Sequence, residues 1–496
     1  MTVEPDSLTI AEPIKTSYHQ ILIKMKCPRR SLVGRRRTFC GRLLAIGLIS
    51  LALLYLFGFF DGWVMPNAEK GVHTRQILEN SKRPSPDAPE TYSLVTEDKD
   101  KFHYHPKSMD ELWTKVTPKT IARRMAYFDT RDPNYPAVAF ITMHDDREKI
   151  KPLIYARLVY DDGSSVCTRL EYWGHSGELD LRRGVRELYV HYLMRNTKMI
   201  DSSLSPISAT LTTDSTCSGG HSKTILIKDT RKQKSNYDFG VCLHQALYNL
   251  IDPQLLVDWV ELNIALGAKV ITVYLQNVSE SYYEIMLPYI GRGIVEVLDW
   301  KMGIPYVKEY TKIWGQTGVI SECIFRNINR VKYLGLMDVD EFFVPQKHLT
   351  IPEMLLDLEK MAGARNSASF ILYNAFMWND GIPLPEVACS TKCPGMKWPR
   401  YFMNTKRSFY PPYQYKYHKL IVKPLAVNTA WCHYIFEPWQ KGYTKEFYVP
   451  VKLGLTHHYR FPEKKTKSWK SQTFTMSRYF EVTRKGIMEQ MCHANY

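Results

Sequence analysis

Two aspartates one residue apart, Asp338 and Asp340, end an apolar run, Tyr333-Leu334-Gly335-Leu336-Met337, and lead into Glu341-Phe342-Phe343. In an extended chain residues i and i+2 share a face, so this pair can turn both carboxylates toward one ligand. The apolar run reads as a buried strand, with the acids at its carboxyl end, where open α/β sheets bind ligands. Hard oxygen ligands of this kind suit Mn²⁺ or Mg²⁺, ions that share their remaining positions with substrate phosphates. Solvated residues at a strand end are the plain alternative for so short a motif. A phosphatase of the DxD type wants Thr or Val where Phe342 stands. A calcium loop needs further oxygen ligands and a glycine turn. A nucleotide-sugar site survives both checks.

A sheet must hold such a pair, and the chain from residue 236 onward supplies one. Gly240-Val241-Cys242-Leu243 is a short strand, and Asp252-Pro253 starts a helix that Gly267 closes. Strands follow at 270–275 and 294–298, and a helix bearing Ile320, Ile324 and Ile328 feeds the acid-tipped strand. Strand and helix in alternation predict an α/β domain with a mainly parallel sheet. Beyond it come a helix from Thr350, a strand near 369–373 and an aromatic, proline-rich stretch over 378–417 that suits an acceptor-binding loop. Strands at 418–422 and 453–456 complete the pattern, the second ending in His457-His458-Tyr459-Arg460. Asn277 opens the sequon Asn-Val-Ser at a strand's carboxyl end. Glycosylation and nucleotide contact both stay open for it.

Ahead of this domain the chain is organised differently. Residues 1–42 read as a cytoplasmic tail with an arginine cluster, and 43–60 as one uncharged apolar membrane anchor. The charge bias gives a type II orientation, with everything after Asp61 on the far side. Residues 61–135 are polar and proline-bearing, as a stem would be, and 136–235 hold short alternating strands that predict a small antiparallel β-sandwich. Cys167 and Cys217 are placed to staple that sandwich. Eight cysteines beyond the anchor suit an oxidising lumen, although their connectivity is not deducible. The net charge of +16 is spread along the 496 residues without any nucleic-acid module, so a nucleic-acid partner is not expected.

With these elements in order, the chain resembles a family 92 glycosyltransferase of GT-A fold, which is Rossmann-like. The resembling stretches are Val257-Asp258-Trp259-Val260-Glu261 to Leu266-Gly267, Gly315-Gln316 to Glu322-Cys323, Asp338-Val339-Asp340-Glu341-Phe342, Lys419 to Pro424, and His458-Tyr459. The resemblance implies inverting transfer from a nucleotide sugar, typically UDP-galactose, with Mn²⁺, by a Golgi type II membrane protein onto a glycan or glycoprotein acceptor. It implies a metal site of Asp340 and Asp338, the second acting through the metal's water shell or holding the donor's ribose, completed by His458 in preference to His457 or His433. Lys419 is placed to stabilise phosphate charge, and Gln316 and Asn277 to reach the donor. Glu341 adjoins the metal pair as a substrate contact, or fixes it through backbone hydrogen bonds. Asp380, in the loop 378–417, is the expected catalytic base. That loop is long for the family and leaves the acceptor open. Aromatic abundance also fits a membrane-anchored, non-catalytic carbohydrate-binding protein. Such a protein has no need of paired carboxylates on a buried strand.

Overall fold

The computed structural model describes residues 107–145, 151–175, 189–197, 200, 203–232, 237–248, 252–302, 315–378, 396–408, 418–436, 438–439, 441–460 and 469–493. The expected tail, the anchor at 43–60, much of the stem and Asp380 lie outside them. Among the described residues no helix is long and apolar enough to cross a membrane.

A short helix, α1 (Met109–Leu112), leads into eight strands. These are β1 (Trp113–Thr117), β2 (Thr120–Asp129), β3 (Ala137–Asp145), β4 (Tyr155–Tyr160), β5 (Ser165–His175), β6 (Tyr189–Asn196), β7 (Pro206–Thr212) and β8 (Ile225–Asp229). The expected sandwich is corrected to a closed seven-stranded barrel in the order β2-β3-β6-β5-β4-β7-β8, with β8 returning parallel to β2. The cause lies in β2, within the segment that reads as stem. Its pairing with β3 shifts register between Ala122 and Ala126. The half before the shift pairs with β1, and the half after it, from Met125 to Phe128, pairs with β8. A bulged strand bends, so one long strand both carries β1 and closes the seven-stranded ring.

Strand β3 shows how the barrel meets the rest of the chain. All nine of its residues are buried. Val138 and Phe140 enter the barrel interior with Leu158, Leu211 and Ile225. The alternate residues Ala139 and Ile141 point outward and pack with Tyr127 and Leu193 against Phe325 and Ile328. The disulfide Cys167–Cys217 is formed.

The second half contains β9 (Tyr237–Leu243), β10 (Leu247–Tyr248), α2 (Pro253–Ala265), β11 (Val270–Asn277), α3 (Glu280–Gly291), β12 (Val295–Asp299), α4 (Gln316–Arg326), β13 (Val331–Met337) and β14 (Glu341–Pro345). It continues through α5 (Ile351–Leu358), β15 (Ser367–Leu372), β16 (Asn374–Trp378), α6 (Arg400–Met403), β17 (Lys406–Ser408), β18 (Lys419–Val422), β19 (Thr444–Tyr448), β20 (Gly454–Arg460), β21 (Trp469–Gln472) and α7 (Phe480–His493). Helix starts follow their caps. The Asp252 side chain accepts from the Gln254 N–H ahead of Pro253, and Thr350 with Glu353 forms a capping box on α5.

The central sheet runs β10-β11-β9-β13-β18-β15-β19, with β12 beside β11. Strands β10, β11, β12, β9 and β13 are parallel, but β18 runs antiparallel to both β13 and β15. A further mixed sheet, β14-β20-β16-β17-β21, lies alongside. The expected Rossmann-like, mainly parallel GT-A domain is therefore corrected, among the described residues, to two mixed sheets that follow a closed barrel. Connection length is the physical reason. Three residues separate β13 from β14 and one separates β15 from β16. A parallel crossover needs a dozen or more, so at both places the chain changes sheet instead.

A buried charge cluster joins barrel to sheet. Arg123 of β2 reaches Glu322 at 3.2 Å, Arg326 holds Glu322 and Glu296 at 2.9 Å each, and Arg330 holds Glu296 at 2.6 Å.

Candidate functional site

Asp338 and Asp340 occupy a tight turn rather than a strand. The Glu341 N–H donates to the Asp338 carbonyl at 3.2 Å, closing a four-residue β-turn between β13 and β14. The two carboxylates consequently face different partners instead of sharing one strand face. Gly335 permits the sharp return, since a Cβ there would lie 2.8 Å from the Phe343 ring.

Register brings the partners in. Met337 lies beside Leu243 in the parallel β9/β13 pair, so His244, the next residue, falls against Asp338. Leu336 lies opposite Leu420 in the antiparallel β13/β18 pair, which sets Lys419 beside the same acid. Glu341 lies directly opposite His458 in β14/β20, and the Tyr459 N–H donates to the Asp340 carbonyl at 2.8 Å. Four strand ends thus meet at one turn.

Both oxygens of Asp338 are engaged, Oδ1 by His244 Nε2 at 2.9 Å and Oδ2 by Lys419 Nζ at 2.6 Å. Burial alone would raise this carboxyl, but Lys419 and His244 outweigh it and hold it well below the usual range. Glu341, 1 % exposed, is the hub. Its Oε2 meets Lys419 at 2.9 Å and accepts the Asp338 N–H at 3.2 Å, while its Oε1 lies 3.2 Å from His458 Nδ1. Lys419 is buried against these acids, which together raise its pKa against the cost of burial. It neutralises Asp338 and Glu341 inside the protein.

Asp340 differs. Its side chain is 34 % exposed, and Oδ2 faces His458 Nε2 at 3.3 Å. Burial raises this carboxyl, His458 more than offsets that, and Asp338 pushes it back up. His458 is lowered by burial and raised further by Asp340 and Glu341, with a net upward shift. Among the described residues no three of His, Cys, Asp and Glu converge as a complete metal site. The pair Asp340 and His458 nevertheless fits two positions of one. Neighbouring ligands of an octahedral ion, each about 2.1 Å from it, stand about 3 Å apart. Glu341 on Nδ1 leaves Nε2 as the coordinating atom, as an orienting carboxylate does. Asp338 does not fit as a direct ligand, because Lys419 and His244 occupy both its oxygens.

Residues 237–493 match glycosyltransferase family 92, more than half of the chain. The chain belongs to glycosyltransferase family 92. The family match begins at the first residue of β9 and ends at the last of α7, with the barrel ahead of it. A β-1,4-galactosyltransferase, galt-1, from Caenorhabditis elegans is 26 % identical over 112 residues, which is 22 % of this chain and 26 % of that protein.

Gln316 begins α4 behind a left-handed Gly315 cap, 3 % exposed, with its Oε1 lacking a hydrogen-bond partner. Asn277 ends β11 at the carboxyl edge of the parallel strands. Asp380 lies outside the described residues. Sequence reasoning missed His244, although its position directly after an apolar strand was a usable signal. It also missed Asp258, an acid three residues beyond Leu255 on the apolar stripe of α2. The disulfide Cys242–Cys323 ties β9 to α4 behind the turn.

Proposed function

We propose that this family 92 glycosyltransferase moves a hexose, galactose from UDP-galactose, onto a glycan or glycoprotein acceptor, with inversion and with Mn²⁺ or Mg²⁺ at Asp340 and His458. The carrying observation is the Asp340–His458 pair, a part-exposed carboxylate facing a buried imidazole at 3.3 Å, at a turn whose other acid is held by Lys419 and His244. Asp340 and His458 would hold such an ion, and it would supply Lewis-acid stabilisation of the departing diphosphate. Glu341 fixes the His458 ring, and Lys419 with His244 fixes Asp338, so the turn is preorganised. Galactose as the sugar is supported by the family resemblance and by the name of the galt-1 relative. Two disulfides, Cys167–Cys217 and Cys242–Cys323, support an oxidising compartment, and we assign the Golgi lumen.

The test is turnover of UDP-sugars by the purified full-length chain, before and after chelation and with Mn²⁺ restored. UDP-galactose turnover that chelation abolishes and Mn²⁺ restores is expected, together with its loss in Asp340→Ala. No turnover of any UDP-sugar, or an unaffected Asp340→Ala, rejects the proposal.

A further inference from the structure

A second carboxyl opens into the slot beside Asp340. Asp258 of α2 lines this slot together with Asp340, Phe342, Arg400, Tyr401 and Tyr459. Asp258 is 8 % exposed, and its Oδ1 has no hydrogen-bond partner. A buried polar atom without a partner is unfavourable, and a leucine would suit the apolar stripe of α2 better. The rings around it are locked edge to face, Phe342 to Tyr401 at 5.4 Å and Phe342 to Tyr459 at 5.8 Å. The free space between them is about 10 Å³. That is room for one water-sized group. A hydroxyl fits it, and the sugar ring that carries the hydroxyl stays outside.

We propose that Asp258 is the catalytic carboxylate that receives the proton of the acceptor sugar's hydroxyl. The assignment rests on the donor diphosphate being held at Asp340 and His458, and it names the group that serves the other reactant. As the acceptor oxygen bonds to the anomeric carbon, the bond from that carbon to the diphosphate oxygen breaks. Its electron pair leaves with the nucleoside diphosphate, and the hydroxyl proton passes to the Asp258 carboxylate. The electrostatics agree with the geometry. Burial raises the Asp258 carboxyl well above the usual range and Asp252 adds to this, against a Gln254 hydrogen bond and the charge of Arg400. A base is most effective when its pKa is brought toward the working pH.

The experiment compares wild type, Asp258→Asn and Asp258→Ala as full-length chains. UDP-galactose and Mn²⁺ are supplied with a desialylated N-glycan mixture as acceptor. Asp258→Asn is expected to keep its melting temperature and its KM for UDP-galactose while kcat falls by about 10²–10⁴-fold. Formate is expected to restore part of the rate to Asp258→Ala, whose cavity admits a small carboxylate. Transfer by Asp258→Asn near the wild-type rate overturns the proposal, and with loss in Asp380→Asn it passes the role to the loop acid. Failure of both Asp258 variants to fold makes the carboxyl structural and also overturns it. A wild-type chain that turns over no UDP-sugar overturns the donor reading and this assignment together. An active wild type beside an equally active Asp258→Asn overturns this assignment alone.

Discussion

The two acids of the turn, identical in type and two residues apart, should fail in different ways when neutralised. Asp338→Asn removes a carboxylate from Lys419, which is 3 % exposed, and leaves Glu341 at 2.9 Å as the lysine's remaining anion. Breaking a buried ion pair costs about 3–5 kcal/mol, but Asp338 is itself 28 % exposed and Glu341 stays with the lysine, so this case costs about 1–3 kcal/mol. Asp340→Asn removes one contact of 3.3 Å from a side chain 34 % open to solvent. Screening reduces such a pair to about 0–1 kcal/mol, and the loss of repulsion from Asp338 offsets part of even that. Asp338→Asn should therefore be the less stable by roughly 1–2 kcal/mol, chiefly because its partner Lys419 is buried. Thermal melts of the metal-free proteins give the ranking, which is the right observable because a chain this large need not unfold in one step. Added UDP and Mn²⁺ should raise the melting temperature of wild type, since a ligand that binds only the folded state stabilises it. They should leave Asp340→Asn unmoved. Equal melting temperatures for the two variants, or an Asp340→Asn that UDP and Mn²⁺ still stabilise, would refute the division of labour.

Three further outcomes are expected. Burial works against the ionised forms of Glu296 and Glu322, but Arg330 and Arg326 pull Glu296 down to about 2, and Arg123 with Arg326 lowers Glu322. Folded values below the ordinary glutamate range mean that this stabilisation is complete above that range and is lost as pH falls toward 2. Tryptophan fluorescence during acid titration should show unfolding in that window, and Glu296→Gln should flatten the dependence. Gly335→Val places a side chain where the Phe343 ring stands 2.8 Å away and the Phe239 ring 3.2 Å away. Overpacking of that kind costs about 1–3 kcal/mol, seen as a lower denaturant midpoint and, through the displaced turn, a lower kcat. Peptide mapping without reduction should recover the linked pairs Cys167–Cys217 and Cys242–Cys323. Recovery of Cys167 bridged to Cys242 would contradict the fold.

Local rules carried the sequence reading where the chain obeys them one residue at a time. Asp252-Pro253 and Thr350-Ile351-Pro352-Glu353 start helices because side-chain caps and proline act within one turn, and both helices are present. The β-branched run at Val270 is a strand for similarly local reasons. Closure of the barrel was not legible, because it depends on a register shift near Arg123 and on β8 returning from about a hundred residues later. The turn at Asp338 was misread for a related reason. Alternation along a strand does not say where pairing stops, and here the Asp338–Glu341 bond stops it. Spacing alone could find both acids, but only the partners brought by β9, β18 and β20 separate their duties.

Charge at the turn explains why that separation matters. Asp338, Asp340 and Glu341 are three carboxylates, and the cations among their ion-pair partners are Lys419 and, when protonated, His458 and His244. Lys419, the permanent cation, lies deep, between Asp338 and Glu341, so the inner acids are neutralised by a group that solvent and salt hardly reach. Lys419 offsets only one of the three carboxylate charges, so the turn stays net negative, and Asp340 is its most open acid. A cation arriving at that edge therefore gains a carboxylate oxygen and an imidazole nitrogen already 3.3 Å apart. It does so without drawing Asp338 away from Lys419, so occupancy of the outer pair need not disturb the buried one.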